Sequence, residues 1–360
     1  GTKFLPRWRR ASKPAGMTET FTAPDRRRFL GATATAFAAL TASGCMTRGA
    51  PAASAAARPS GKASGFAGYG ALVPDPAGLL DLPEGFSYRV ISRLGDAMDD
   101  GGTVPDRADG MGCFDLGNGE IALVRNHELQ PRHDAGGPIA KGFGKRNGAF
   151  VPGGTTTIVL DAKTLQVKRQ FRSLGGTIRN CSGGVTPWGS WLTCEEAPTG
   201  PGQPYGDGLE RDHGWVFEVP ASARGLVDPV PLTAMGRFNH EAAAVDPATG
   251  YVYMTEDRDD GVLYRFIPKT PGKLAEGGRL QAMVVEGLSD TRNWKSGAMP
   301  VGKPFRVSWV DLDDVGHGGW LVRRLVRGRP DAYARPAHPR RQCAGRASQD
   351  RVAGLRRWSR

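Results

Sequence analysis

The stretch "GRFNHEAAAVDPATGYVYMTEDRDDGVLYRFIP", residues 236–268, decides the fold class. Its apolar run "AAAV" and alternating run "YVYM" flank Asp246-Pro-Ala-Thr-Gly250, rich in turn formers, so the segment reads as a β-hairpin. A further strand-like run, "VLYRFIP", follows the acidic turn "EDRDDG". Outward from there the pattern repeats in "SYRVIS" (87–92), "EIALVRN" (120–126), "TTTIVLD" (155–161), "LQVKRQFRSL" (165–174), "SWLTCEE" (190–196), "GWVFEVP" (214–220) and "QAMVVEGL" (281–288). Turn chemistry separates the runs, as at Asp161-Ala-Lys-Thr164, and helical periodicity is almost absent. Many short strands with frequent turns predict an all-β domain, and a body of roughly 250 residues exceeds one ordinary sandwich. A β-propeller of four-stranded blades, each about 40 to 50 residues, fits that length.

The chain has 360 residues, 39% of them apolar, enough for a substantial core. A formal charge of +12 invites a nucleic-acid reading, so its location matters. Residues 1–60 carry ten Lys/Arg against two acids, residues 321–360 carry twelve Arg against two, and the 26 Lys/Arg between them face 32 Asp/Glu. The body is therefore acidic, which argues against a nucleic-acid-binding face and suits cation binding.

The ends differ from the body. Residues 1–16 precede Met17 and read as a non-native upstream segment; residues 17–50 contain "DRRRFLGATATAFAALTASGC". Arg26 and Arg27 before a weakly apolar run, Leu30 to Gly44, resemble a twin-arginine export signal, which predicts a periplasmic or extracellular protein that engages the twin-arginine machinery. That run is too short and too rich in Ala, Thr and Gly to be a stable transmembrane segment, and Cys45 after "TASG" is a candidate lipid anchor. The resemblance implies a protein that crosses already folded, often with a cofactor loaded, which favours a metal protein. Residues 51–72 read as a flexible linker and 73–315 as the β body. Residues 316–360 lack Ile, Phe, Met, Glu, Lys, Thr and Asn, and their basic side chains other than His are all Arg. This composition resembles an altered reading frame; an Arg-rich tail for an acidic partner is the alternative. A frame change near Val315 would leave an incomplete propeller, unstable and impaired.

The chemistry gathers in "NCSGGVTPWGSWLTCEE", residues 180–196. It is either an apolar strand flanked by turns and ending in acid, or a loop that presents soft and hard metal ligands. In an oxidising compartment Cys113, Cys181 and Cys194 are an odd set, so a Cys181–Cys194 disulfide and a ligating thiol both stay open. Asn-His-Glu recurs at 126–128 and 239–241, and in a propeller such an echo would bring His127, Glu128, His240 and Glu241 to one channel. Asp109, Asn126, Glu128, Glu195, Glu196, Glu241, Glu256, Asp257, Asp259 and Asp260 form a set of hard oxygen ligands on loops. Calcium takes six to eight such oxygens, whereas a cysteine beside them suits iron or zinc. The EF-hand pattern fails at Arg258 and Ile267, and G-x-S-x-G, P-loop and H-E-x-x-H motifs are missing.

Taken together, "DGMGCF", "RNHE", "GGTTTIVLD", "NCSGGVTPWGSWLTCEE", "GRFNHEAAAVDPATGYVYMTED" and "LYRFIPK" resemble the PhoX-type alkaline phosphatases over about residues 75–315. The resemblance implies a six-bladed propeller whose axial pocket holds Ca2+ and Fe3+ and hydrolyses phosphate monoesters, here as a monomer. It further implies Glu195 and Glu241 as metal ligands with a catalytic role. Glu196, Asn126, Glu128, Asp109 and Asp260 come next as ligands, with Cys181 or Cys113 as the thiolate. Arg258 would neutralise phosphoryl charge, and Asp260 stands where the family has Glu. The competing expectations are a non-catalytic calcium-binding scaffold and a calcium-dependent lactonase-like propeller.

Overall fold

The computed structural model describes residues 68–288, 290, 291, 297, 299–312, 315 and 316. The expected export signal, lipid anchor at Cys45, most of the linker and the Arg-rich tail lie outside them. The chain divides after Phe86 into two units. In the first, β1 (Leu72–Val73) pairs antiparallel with β2 (Leu82–Pro83). Asp75 shapes the intervening turn by accepting hydrogen bonds from the Ala77, Leu79 and Leu80 amides.

The second unit is all-β. Its strands are β3 (Ala108–Asp115), β4 (Glu120–His127), β5 (Lys145–Arg146), β6 (Ala149–Phe150), β7 (Gly153–Asp161), β8 (Val167–Thr177), β9 (Asn180–Val185), β10 (Ser190–Glu195), β11 (Val216–Pro220), β12 (His240–Val245), β13 (Val252–Glu256), β14 (Tyr264–Pro268), β15 (Gly278–Val285) and β16 (Val307–Asp311). Two short 3-10 turns, Thr233–Met235 and Leu274–Glu276, are the helical elements among the described residues. The sheets run β3-β4-β7-β8, β11-β10-β9 and β12-β13-β14-β15-β16, with β5-β6 as a separate hairpin. Every pairing is antiparallel and no sheet closes on itself.

Side-chain hydrogen bonds fix the hairpin turns. Asp246 accepts from the Ala248 amide at 3.0 Å and the Thr249 hydroxyl at 2.7 Å, and Gly250 takes the left-handed φ of 72° that closes the turn. Asp161 receives the Lys163 and Thr164 amides in the same way. In the β9–β10 turn the Thr186 hydroxyl meets Ser190 Oγ at 2.7 Å, so "NCSGGVTPWGSWLTCEE" is a hairpin. "SYRVIS" corrects the sequence reading: it belongs to no strand, and Tyr88 and Val90 are exposed. Alternation alone does not make a strand without a partner edge.

Strand β10 shows how the core is divided. Leu192 and Cys194 pack with Met254, Tyr264, Phe266 and Leu280 of the third sheet. Trp191, one residue over, packs with Ala122, Val124 and Leu174 of the first sheet and Phe217 and Val219 of its own. Each fully buried side chain of this size stabilises the fold by about 1.5–3 kcal/mol, so the two faces of β10 bind successive sheets together. The first strands of the three sheets lie side by side, β9 packing against both β3 and β12. A Cβ on Gly184 would collide with the Ala243 carbonyl oxygen, so glycine permits this approach.

Candidate metal centre

The pleat of β10 sends Glu195 and the adjoining Glu196 to opposite faces. Glu196 follows Cys194 toward the third sheet, and its amide donates to the Arg179 carbonyl at 3.0 Å. Cys181 is the second residue of β9 and Glu241 the second of β12, so the neighbouring first strands bring these side chains together. One ligand atom from each of Cys181, Glu196 and Glu241 lies within 4.8 Å of the others. The Cys181 thiol donates to Glu241 Oε2 at 3.1 Å.

The group gathers more negative charge than it neutralises. Burial pushes Glu196 up to about 7; Arg179 opposes the rise, while Asp257, which shares a hydrogen bond with Glu196, and Glu241 add to it. Burial also raises the Cys181 thiol, and the hydrogen bond and charge of Glu241 act in the same direction. Arg179 is the local counter-charge. Its guanidinium reaches Glu128 Oε1 at 2.8 Å and Glu196 Oε2 at 2.7 Å, from a residue whose backbone has φ 49°. One thiol and two carboxylates within ligating reach of each other are a donor set that fits a metal ion, with Asp257 as a further oxygen at the edge.

The other expected residues are placed differently. Glu195 is fully buried outside this group. Its Oε1 accepts from the Ile178 amide at 2.8 Å and His213 Nδ1 at 2.7 Å, and its Oε2 from the Gly214 and Trp215 amides at 2.7 and 3.1 Å. With both oxygens occupied, the carboxylate pins the loop before β9 to the entry of β11. Asn126 is likewise saturated: it donates to the Cys181 and Ser182 carbonyls and accepts from Trp191 Nε1 and Thr193 Oγ1. It ties β4 to β9 and β10 beneath the group. Glu128 approaches through Arg179. Asp109 is largely exposed on β3, and partial desolvation of its carboxyl together with the Glu128 charge raises it despite the Gly110 amide. Asp260 pairs with Arg258 at 3.3 Å.

The echoed triplets occupy unlike positions, one at the end of β4 and the other at the start of β12. His127 is bound by the Asp106 carbonyl and Thr156 hydroxyl, and His240 by the Gly236 carbonyl. Burial lowers both to about 4, so they are neutral struts away from the ligand atoms. Cys113 is exposed, Cys194 is buried in the apolar layer, and neither is bonded to Cys181.

Arg179 and His213 are neighbours of the site without a strong sequence signal, the first pairing with Glu128 and Glu196 and the second bracing Glu195. Arg179 sits two residues before Cys181 in "TIRNC", which is the one cue available. Glu196 also belongs to the wall of a cavity of about 600 Å³, which it shares with Arg179, Arg258, Asn239, Arg132 and Arg146. A carboxylate–thiol group opening beside several guanidiniums can hold a cation and an oxyanion together.

The family model described as alkaline phosphatase PhoX matches residues 67–168 and 160–359. No curated protein matches the chain. The motifs that supply Cys181, Glu196 and Glu241 fall inside the matched span, and the chain belongs to the PhoX alkaline phosphatase family.

Proposed function

We propose that this chain is an exported, metal-dependent phosphatase that hydrolyses phosphate monoesters. The observation that carries the reading is the convergence of Cys181, Glu196 and Glu241 beside a cavity walled by arginines. In this reading Cys181, Glu196 and Glu241 would hold Fe3+, since a thiolate among the donors suits iron better than calcium, and the carboxylates of Glu128, Asp257 and Asp109 would serve Ca2+. Bound cations supply Lewis-acid stabilisation of phosphoryl oxygen charge. The chain's own part is to position the ester. Arg258 faces the cavity and neutralises equatorial phosphoryl charge, while Arg179 holds Glu196 in place and keeps Glu128 at its flank. Glu195 and Asn126 act one layer back, fixing the backbone that presents the ligands.

Three successive antiparallel sheets, with first strands side by side and shared apolar layers, support a propeller reading, six-bladed by family resemblance. The twin-arginine motif at Arg26-Arg27 supports export. The composition break at residue 316 adds impaired activity in this chain to the proposal. The test is metal content and hydrolysis of an aryl phosphate at alkaline pH for the wild type, Glu196→Gln and Glu241→Gln. The wild type should contain metal, and each variant should lose at least half of it together with any turnover. Metal retained in both variants refutes the ligand set; metal without turnover in an in-frame, full-length form refutes the phosphatase reading in favour of a scaffold.

A further inference from the structure

The cavity beside Glu196 is larger than a phosphoryl group needs: about 600 Å³ suits a ligand of nucleotide or sugar-phosphate size. Its arginines divide into two kinds. Arg179 is neutralised by Glu128 and Glu196, and Arg258 by Asp260. Among the described residues Arg132 makes no ion pair, and Arg146 donates Nε to the neutral Asp207 carbonyl at 2.8 Å. Asp207, the other acid of the wall, forms no ion pair with either among the described residues. Two guanidiniums without ion-pair partners among the described residues therefore line the same cavity as Glu196.

Arg146 is also built into a wall that exists before any ligand arrives. Its backbone bridges to Leu209, the Asn147 amide donates to the Gly208 carbonyl at 2.9 Å, and the Gly148 amide donates to Glu210 Oε1 at 2.8 Å. The Thr199 hydroxyl closes the same loop on the Pro204 carbonyl at 2.7 Å. The β5–β6 hairpin and the loop of residues 199–210 thus hold each other, and a preorganised cation loses less on binding an anion than a free side chain does.

We propose that Arg132 and Arg146 form a second anion subsite that takes a negatively charged substituent on the leaving group, so that the substrate class is phosphate monoesters bearing a further phosphate or carboxylate. This rests on the phosphatase reading and deepens it. An ester whose phosphoryl group meets Glu196, Arg179 and Arg258 extends toward Arg132 and Arg146, where a second anion finds two unpaired cations.

The test measures binding rather than turnover. Calorimetry on the full chain, at fixed ionic strength, compares phenylphosphonate with 4-carboxyphenylphosphonate, which differ by one charge. The wild type should bind the carboxylated probe about tenfold more tightly, an increment typical of one charge-assisted pair. Arg132→Ser/Arg146→Ser should abolish that preference while leaving phenylphosphonate within about twofold of wild type. Arg132→Ser alone, at an exposed position, should remove part of it, and Arg224→Ser, a surface change outside the cavity wall, none. Equal affinities in the wild type, or a preference that survives the double substitution, overturns the subsite while the phosphatase reading stands. Failure of both probes to bind the wild type overturns both.

Discussion

Glu195→Gln separates a ligand from a structural brace. The carboxylate takes two donors on each oxygen, the Ile178 amide and His213 Nδ1 on one, the Gly214 and Trp215 amides on the other. Glutamine replaces one oxygen by NH2, so one pair of donors must face another donor. Turning the NH2 toward Gly214 and Trp215 orphans one buried and one half-buried amide, at about 1–3 kcal/mol each. Turning it toward His213 lets the imidazole present Nδ1 as an acceptor, leaving the Ile178 amide orphaned. That choice moves the ring proton to Nε2, which is buried and has no hydrogen-bond partner. Either orientation also turns charge-assisted bonds into neutral ones, so we expect a net loss of about 3 kcal/mol, a large part of a typical stability of 5–15 kcal/mol. The assay is urea denaturation of the variant beside wild type, with metal measured on the folded fraction. A lower midpoint with metal content unchanged is expected. Metal lost with the midpoint unchanged would falsify the brace and restore Glu195 to the ligand role its motif suggested.

Two further outcomes follow from the buried groups. His127 and His240, held near 4 by burial, bind protons only after unfolding as pH falls from the ordinary 6.5. Folded-state values below the unfolded ones mean that stability is lost across pH 6.5 to 4, by about 1.4 kcal/mol per pH unit for each histidine. Melting temperature against pH should show that slope, and His127→Gln or His240→Gln should flatten it if the variant folds; an unchanged slope in both refutes the assignment. In a Cys45→Ser/Cys343→Ser background, a thiol reagent should label Cys113 at once and Cys181 and Cys194 only on unfolding, since the latter two are buried. Three labelled thiols without reductant are expected; one would mean that the Cys181–Cys194 disulfide forms.

The strands that sequence alone made legible are those of the sheet interiors. "EIALVRN", "TTTIVLD", "GWVFEVP" and "VLYRFIP" lie in β4, β7, β11 and β14, because half-buried and buried strands carry β-branched and aromatic side chains. The strands it obscured are β3, β9 and the start of β12, where "ADGMGCFD", "NCSGGV" and the "HE" before "AAAV" hold glycine, small and polar residues where packing strands hold bulk. The cause lies in their position. These strands lie side by side, so Gly110 must clear Ser182 and Gly184 must clear Ala243, and a large side chain would push them apart. "SYRVIS" erred the other way, with the composition of a strand and no partner.

The same geometry explains which part of the site could be read. The motif "CEE" announces carboxylates, and the strand period of two means that Glu195 at the end of β10 and Glu196 just past it cannot share a face. Choosing between Glu195 and Glu196 requires knowing which sheet lies on which side. That follows from contacts distant in sequence: Leu192 and Cys194 against Phe266 and Leu280 on one face, Trp191 against Val124 on the other. The third sheet also carries Glu241, so Glu196 shares its side with the thiol and the second carboxylate, while Glu195 is left with backbone amides and an imidazole. Two contacts relieve the charge gathered there: Arg179 pairs Glu196 with Glu128, and the Cys181 thiol donates to Glu241. Any cation that binds there enters a group whose members are already held, Glu196 by Arg179 and Glu241 by the Cys181 thiol, which is why the ligands can be assembled by the fold before metal arrives.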